Sequence, residues 1–263
     1  MYYGLISSMK KTVASAYTAR TTAFIAATGI SDTTIINALN TMDLSLISAG
    51  LDTKMKALYP FVGGTASTHK YNFMDARDLD AAFRLTFSGG WTHSSTGILG
   101  NGTNSWAETY LNNSIVLTQN STHLSLYSRT NNTTPIVDIA NSSSIYNGAP
   151  SLFINFSGST YIQVNQNSYS SIGDGDSLGM RIASRINSTT EKLYKNNSLL
   201  LTSLKISLAA PNGTMNLSKW YTGGYWSNRE YAFCTIGDGL SDSEASTFYT
   251  ITQTFQTSLS RQV

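Results

Sequence analysis

Apolar residues recur at helical spacing along the N-terminal part of the chain and in short, interrupted runs along the rest. From about Ser8 to Leu58 there is no proline, and Val13, Tyr17, Phe24 and Ala27 fall near one helical face. Gly29 then suits a C-cap, and Ser31 or Asp32 an N-cap for a second helix. In that helix Ile35, Leu39, Met42, Leu46 and Ala49 alternate steps of four and three, a seam for packing on another helix that Gly50 interrupts. Such a seam is marginal alone. It fits either docking on the domain that follows or a hairpin used for oligomerisation or anchoring.

Tyr59-Pro60 opens a different regime, in which β-favouring runs alternate with Gly, Asn and Pro breaks. SIVLTQN, HLSLYSRT, PIVDIA, SLFINFSG, TYIQVNQN, SLGMRIAS and EKLYKNNSLLLTS all read as strands. Within HLSLYSR, Leu124, Leu126 and Ser128 share one face, while Ser125, Tyr127 and Arg129 share the other. Alternation of this kind predicts antiparallel sheet with one face buried and one wet. DARDLDAAFRL, with Leu79, Ala82 and Phe83 at helical spacing, predicts a helix or turn over one edge. The chain therefore divides into a helical docking or oligomerisation segment, residues 1–56, and a β domain, residues 57–263.

A chain of 263 residues with 41% hydrophobic content can bury one sizeable core plus an appendage. Only 12% of residues are charged and the formal net charge is +2, about half the usual charged share. This supplies no basic field for nucleic acid. One cysteine, Cys234, allows neither an intrachain disulfide nor a Cys-based zinc cluster. Asn, Ser, Thr and Gly stand where charge would otherwise be, as turns and solvated strand faces require. The N-x-[ST] tripeptides starting at Asn101, Asn120, Asn155, Asn212 and Asn216 read as products of that composition. MYYGLISSMKK places its lysines after the first apolar residues, the reverse of a secretory signal. No apolar run approaches the roughly 20 residues that span a bilayer.

Three stretches carry a resemblance, in a fixed order. GILGNGTNSWAETYL resembles an early strand of concanavalin-like or laminin-G-like jelly rolls. EKLYKNNSLL resembles their hairpin, with Lys195, Asn196 and Asn197 at the turn. YAFCTIGDGLSDSEASTFY resembles their closing strand and final helix. The spacing independently makes Ser241 and Glu244 a capping box, with Asp242 favoured by the helix dipole and Leu240, Ala245 and Phe248 directed at the sheet. At finer grain, ALYPFVGGTASTHKYNFMDARDLDAAFRLTFSGGWTHSSTG with the two flanking motifs resembles proteins of tailed bacteriophages and prophage-like regions, particularly of Bacteroidetes hosts. That resemblance implies a structural part of the particle, a head or tail fibre or decoration element, made in host cytoplasm and residing in the virion. It implies capsid or tail proteins as partners, and a homo-oligomer, commonly a trimer in fibres.

Catalytic apparatus is not visible. Retaining glycosidases on this jelly roll place their carboxylates on alternate residues of one strand, about 5 Å apart, whereas Glu108, Glu191, Glu230 and Glu244 are isolated from one another. A divergent hydrolase would have to use Glu108 with a distant partner. His69, His93 and His123 show no ligand-pair spacing, and neither a nucleophile elbow, a P-loop nor a dinucleotide fingerprint is present. IGDGDSLG could offer Asp174 and Asp176 to calcium, but a plain turn accounts for it, and no metal or cofactor is expected. WYTGGYW, residues 220–226, is the recognition candidate. Trp220, Tyr221, Tyr225 and Trp226 surround a Gly-Gly turn, and exposed aromatic rings stack on sugars. The alternative is that most of these rings fill the sandwich around a hairpin turn, leaving Tyr225 outside. The functional expectation is a non-enzymatic virion component or, from another class, a lectin-like module for bacterial surface polysaccharide.

Overall fold

The computed structural model describes residues 17–143 and 147–263, so the expectation for Val13 falls outside it. Helices α1 (Ala19–Thr28) and α2 (Thr33–Ser48) are set by their ends. The Thr18 side chain accepts the Thr21 amide, Gly29 closes α1 at φ 71°, and Asp32 accepts the amides of Thr34 and Ile35. Leu39, Met42 and Leu46 are buried, Ile35 is partly so, and Ala49 is exposed as the C-cap. Arg20 Nη1 lies 2.6 Å from Asp43 Oδ1 and pins α1 to α2.

The strands follow as β1 (Met55–Tyr59), β2 (Thr86–Ser88), β3 (Trp91–Ser94), β4 (Gly97–Gly100), β5 (Trp106–Asn112), β6 (Thr122–Ser128), β7 (Ile139–Asn141) and β8 (Ser151–Phe156). They continue as β9 (Ser159–Gln163), β10 (Ser170–Gly173), β11 (Gly179–Arg185), β12 (Thr190–Lys195), β13 (Ser198–Leu204), β14 (Thr214–Leu217) and β15 (Glu230–Gly237). Short helices α3 (Ala66–His69) and α4 (Asn113–Val116) interrupt them, and α5 (Asp242–Ser258) closes the chain.

Two antiparallel sheets face each other as a mainly β jelly-roll sandwich. The first has the order β13-β12-β11-β6-β15-β4-β3, with β1 also on β15, and the second β10-β9-β8-β7-β14-β5-β2. Leu124, Leu126, Ile154, Ile162, Met215 and Cys234 belong to the core between them. A second core lies on the outer side of the first sheet, where Leu39, Met42 and Leu46 of α2 and Phe248, Ile251 and Phe255 of α5 meet Tyr127, Met180, Ile182 and Phe233.

This second core corrects the expectation of a wet face. All seven residues of β6 are buried, because α2 and α5 cover what the sandwich does not. Its polar positions are satisfied internally: His123 bonds the Asp238 carbonyl at 2.6 Å and Thr235 Oγ1 at 2.9 Å, and Ser125 Oγ lies 2.6 Å from the same hydroxyl. In the second sheet, β5 does alternate between buried and partly buried positions.

One local expectation also changes, and another resolves to its turn alternative. SIVLTQN is not a strand: Asn112 Oδ1 accepts the Ser114 amide at 3.1 Å and starts the single turn of α4, the competition that Asn side chains offer extended backbone. DARDLDAAFRL contains only a 3₁₀ turn at Asp80–Ala82, after which Phe83 turns left-handed at φ 59°.

At the start of α5 the capping box is complete. Ser241 Oγ accepts the Glu244 amide at 3.4 Å, and Glu244 Oε2 accepts the Ser241 amide at 2.8 Å. Lys54 Nζ is 2.5 Å from Glu244 Oε1, while Asp242 Oδ1 takes Lys192 Nζ at 2.5 Å and the Tyr194 hydroxyl at 2.6 Å. Asp242 thus ties the helix to β12, and Glu244 ties it to the residue before β1. Glu244→Ala is expected to lose about 0.5–2 kcal/mol of stability in urea unfolding, with little added by the half-exposed ion pair. An unchanged urea midpoint would remove the capping role.

Candidate functional site

The outer face of the second sheet differs from that of the first. Where α2 and α5 cover one sheet, the other turns aromatic side chains outward from β8 and β9. Leu152, Ile154 and Ile162 point into the sandwich, so Phe153 and Tyr161 point away from it, paired across the two strands. Phe156 and Tyr169 join them, and Trp220 arrives from the loop 218–229 between β14 and β15.

These five residues line a depression of about 180 Å³. Phe153 is the floor, buried to 3% exposure, with ring centroids of Trp220 and Tyr169 each 5.2 Å away. Tyr161 stands edge-on to Phe156 at 5.9 Å and to Tyr169 at 6.2 Å. Tyr225 sits on the rim, 5.6 Å from both Phe156 and Trp220, and Tyr221 lies 6.0 Å from Trp220. Their exposures of 50% and 37% leave both rings available to a ligand.

The loop is shaped by backbone that only a few residues tolerate. Gly223 and Gly224 have φ of 84° and 85°, and Tyr225 follows at 56°. A bulky residue in that region is unfavourable and needs its surroundings to hold it. The Tyr225 carbonyl accepts the Val137 amide at 2.8 Å, and the Gly223 amide donates to the Trp220 carbonyl at 2.9 Å. Beneath, fully buried Arg229 and Asp138 pair at 3.0 Å. Asp138 also accepts the Ile154 amide at 2.6 Å and the Tyr231 hydroxyl at 2.7 Å, and its carbonyl takes the Ser218 amide at 2.9 Å. Burial, reinforced by the Asp138 charge, raises the Tyr231 hydroxyl well above its ordinary pKa, so it stays a donor.

Of the aromatic residues expected from WYTGGYW, the structure gathers Trp220, Tyr221 and Tyr225. Trp226 is partly buried and packs toward Gly223, where an added Cβ would come within 3.9 Å of its ring. Phe153, Phe156, Tyr161 and Tyr169 are the site residues that sequence reasoning missed. A signal existed for two of them, since SLFINF and TYIQ place Phe153 and Tyr161 opposite the neighbouring aliphatic residues, whereas Phe156 leaves the aliphatic face only through the register shift after Phe153.

Other sequence candidates lie elsewhere. Asp174 is held by Arg181 Nε and Lys195 Nζ, each at 2.8 Å, and Asp176 lies 2.9 Å from Lys195. Cations of the chain itself occupy the place considered for calcium. His69 and His93 do meet, Nδ1 to Nδ1 at 3.0 Å. Burial first, then its neighbour, depress His69 to about 3, and no third His, Cys, Asp or Glu joins them among the described residues. Glu108 accepts the Tyr110 amide at 3.0 Å, Glu230 pairs with Arg129 at 2.8 Å, and Glu191 is buried under the Val164 amide at 2.9 Å, its carboxyl pushed up to about 7 by burial. Cys234 is buried, and burial raises its thiol.

No family model matches the chain, and no curated protein does. Solved structures are similar in fold. Domain 4 of AbnA, a GH43 extracellular arabinanase from Geobacillus stearothermophilus, solved with arabinotriose, aligns over 74% of this chain and 98% of its own at 12% identity and TM-score 0.47. The binding domain of botulinum neurotoxin serotype D/C aligns over 77% of this chain and 53% of its own at 17% identity and TM-score 0.49. That of botulinum neurotoxin DC with rat synaptotagmin II aligns over 77% and 52%, at 15% identity and TM-score 0.48. The chain thus spans about half the length of these toxin domains, and the likeness concerns the β-sandwich fold alone.

Arg229→Met is expected to cost about 3–5 kcal/mol, because it leaves Asp138 charged and unpaired in the interior. Urea unfolding checks this, and a loss under about 1 kcal/mol would show that the pair does not hold the loop.

Proposed function

We propose that this chain is a glycan-binding, non-enzymatic β-sandwich module. The observation that carries the reading is the outward aromatic depression on the second sheet. Concave, apolar surfaces with hydrogen-bonding tips at the rim suit sugar rings, whose C–H faces stack on aromatic faces while hydroxyls find polar partners. The rim hydroxyls of Tyr221 and Tyr225 supply such tips. A depression of about 180 Å³ is small for a drug-like ligand and suits one sugar ring of a longer chain. A left-handed Tyr225 held half-exposed on a buried ion pair is a cost that packing alone does not require.

The module's setting belongs to the same proposal: a component of a bacteriophage particle, a fibre or decoration protein displaying this face toward host polysaccharide, assembled as a homo-oligomer. The support is the sequence resemblance of the ALYPFVGGTAS region and its flanking motifs to phage proteins. Mass spectrometry of purified particles addresses it, and absence of the chain from virions would remove it.

For glycan binding, the intact chain on an array of bacterial and plant oligosaccharides is expected to retain specific sugars. Trp220→Ala should abolish retention by opening the depression. Tyr225→Ala should weaken it roughly tenfold, about 1.4 kcal/mol, while leaving the urea midpoint almost unchanged. An array without hits, or hits indifferent to both substitutions, would sink the reading.

A further inference from the structure

We infer that the saccharide taken by this face is anionic, its charge met by Lys219 and Lys205. The inference rests on the glycan-binding reading and concerns the class of sugar.

The distribution of ion pairs points to it. Among the described residues, every lysine other than these two has a carboxylate oxygen within 4.0 Å, and so does every arginine except Arg261. Arg261 is 1% exposed and donates to backbone carbonyls of Phe61, Pro60 and Ala232. Lys205 and Lys219 are thus the described cations that are both partly accessible and unpaired. In a chain so sparing of charge, both adjoin residues that line the aromatic depression, Lys219 through the chain to Trp220 and Lys205 through Ser168 to Tyr169.

Lys219 immediately precedes Trp220. Its Nζ rests 3.6 Å from the centroid of Trp106, on β5. A cation held on a ring face is pre-positioned, and the ammonium keeps donors on the side away from the ring. On the other flank, Lys205 Nζ donates to Ser168 Oγ at 3.2 Å, and Ser168 immediately precedes Tyr169. The rings that line the depression bring no carboxylate with them. Lys205 acts on the buried Glu191 carboxyl only at a distance, so an incoming anion gains charge-assisted hydrogen bonds without breaking a contact ion pair. Glu108, two residues along β5 from Trp106, is engaged by the Tyr110 amide and makes no ion pair with Lys219.

Carboxylate, sulfate and phosphate share this chemistry, so the test separates them. The intact chain is titrated with polygalacturonate and its carboxyl-reduced form, with dextran sulfate and dextran, and with a phosphate-bearing mannan and its dephosphorylated form. At low ionic strength one acidic probe is expected to bind roughly tenfold tighter than its neutral partner. High salt should erase most of that margin. Lys219→Met and Lys205→Met should each reduce the acidic affinity and leave the neutral one unchanged.

Equal binding of acidic and neutral partners would overturn the inference while leaving glycan binding intact. Acidic binding that ignores both lysine substitutions would overturn it as well. If neither these probes nor the array sugars bind, the glycan reading fails and this inference with it.

Discussion

The buried Asp138–Arg229 pair is the contact on which the rest of the outward face depends. Arg229 stands just before β15 of the first sheet, while Asp138 accepts the Ile154 amide of β8 in the second. One ion pair therefore crosses the sandwich and holds the end of the loop 218–229 at Arg229, while the Asp138 backbone carbonyl takes the Ser218 amide at its start. A charge pair in such surroundings is stable only because its remaining valences are filled. Here backbone carbonyls of Asn132 and Asn155 and the Tyr231 hydroxyl fill most of them. The aromatic rim is thus carried on a rigid base, as a recognition surface needs if it is not to lose its affinity to ordering.

The two sheets solve the same problem differently. Each has an inner face buried in the sandwich and an outer face to be dealt with. The first covers its outer face with α2 and α5, and it buries even polar residues such as His123, Ser125 and Thr235 by bonding them to one another. The second presents Phe153, Phe156 and Tyr161 outward, and closes them only partly with Trp220, Tyr169 and Tyr225. Clustered aromatic surface left partly open in a concave setting is where a ligand gains from burial.

The legibility of these features follows their range along the chain. The caps at Asp32 and Gly29, the hairpin at Asn196, the capping box at Ser241 and Glu244, and the mainly β sandwich could all be read from residues a few positions apart. The one-wet-face expectation for β6 failed because helices from both ends of the chain, distant in sequence, settle on the same sheet. SIVLTQN failed for a smaller reason, a single Asn112 side chain that accepts the Ser114 amide in place of a strand ladder. The aromatic-glycine run at 220–226 was visible as a candidate, but its partners on β8 and β9 were not, since they read as ordinary strand alternation.

By itself the sequence determined periodicities, caps, turns and the scarcity of charge, all properties of neighbouring residues acting through steric preference and local hydrogen bonds. Only the tertiary structure decided which aromatic residues share a surface, which lysines remain unpaired, and which sheet face stays open. Those outcomes depend on strand order and register. A register slip of one residue would turn Phe153 inward and Ile154 outward without altering any local propensity. The recognition surface is therefore a consequence of pairing, and the residues that compose it acquire their meaning only once β8, β9 and the loop after β14 lie side by side.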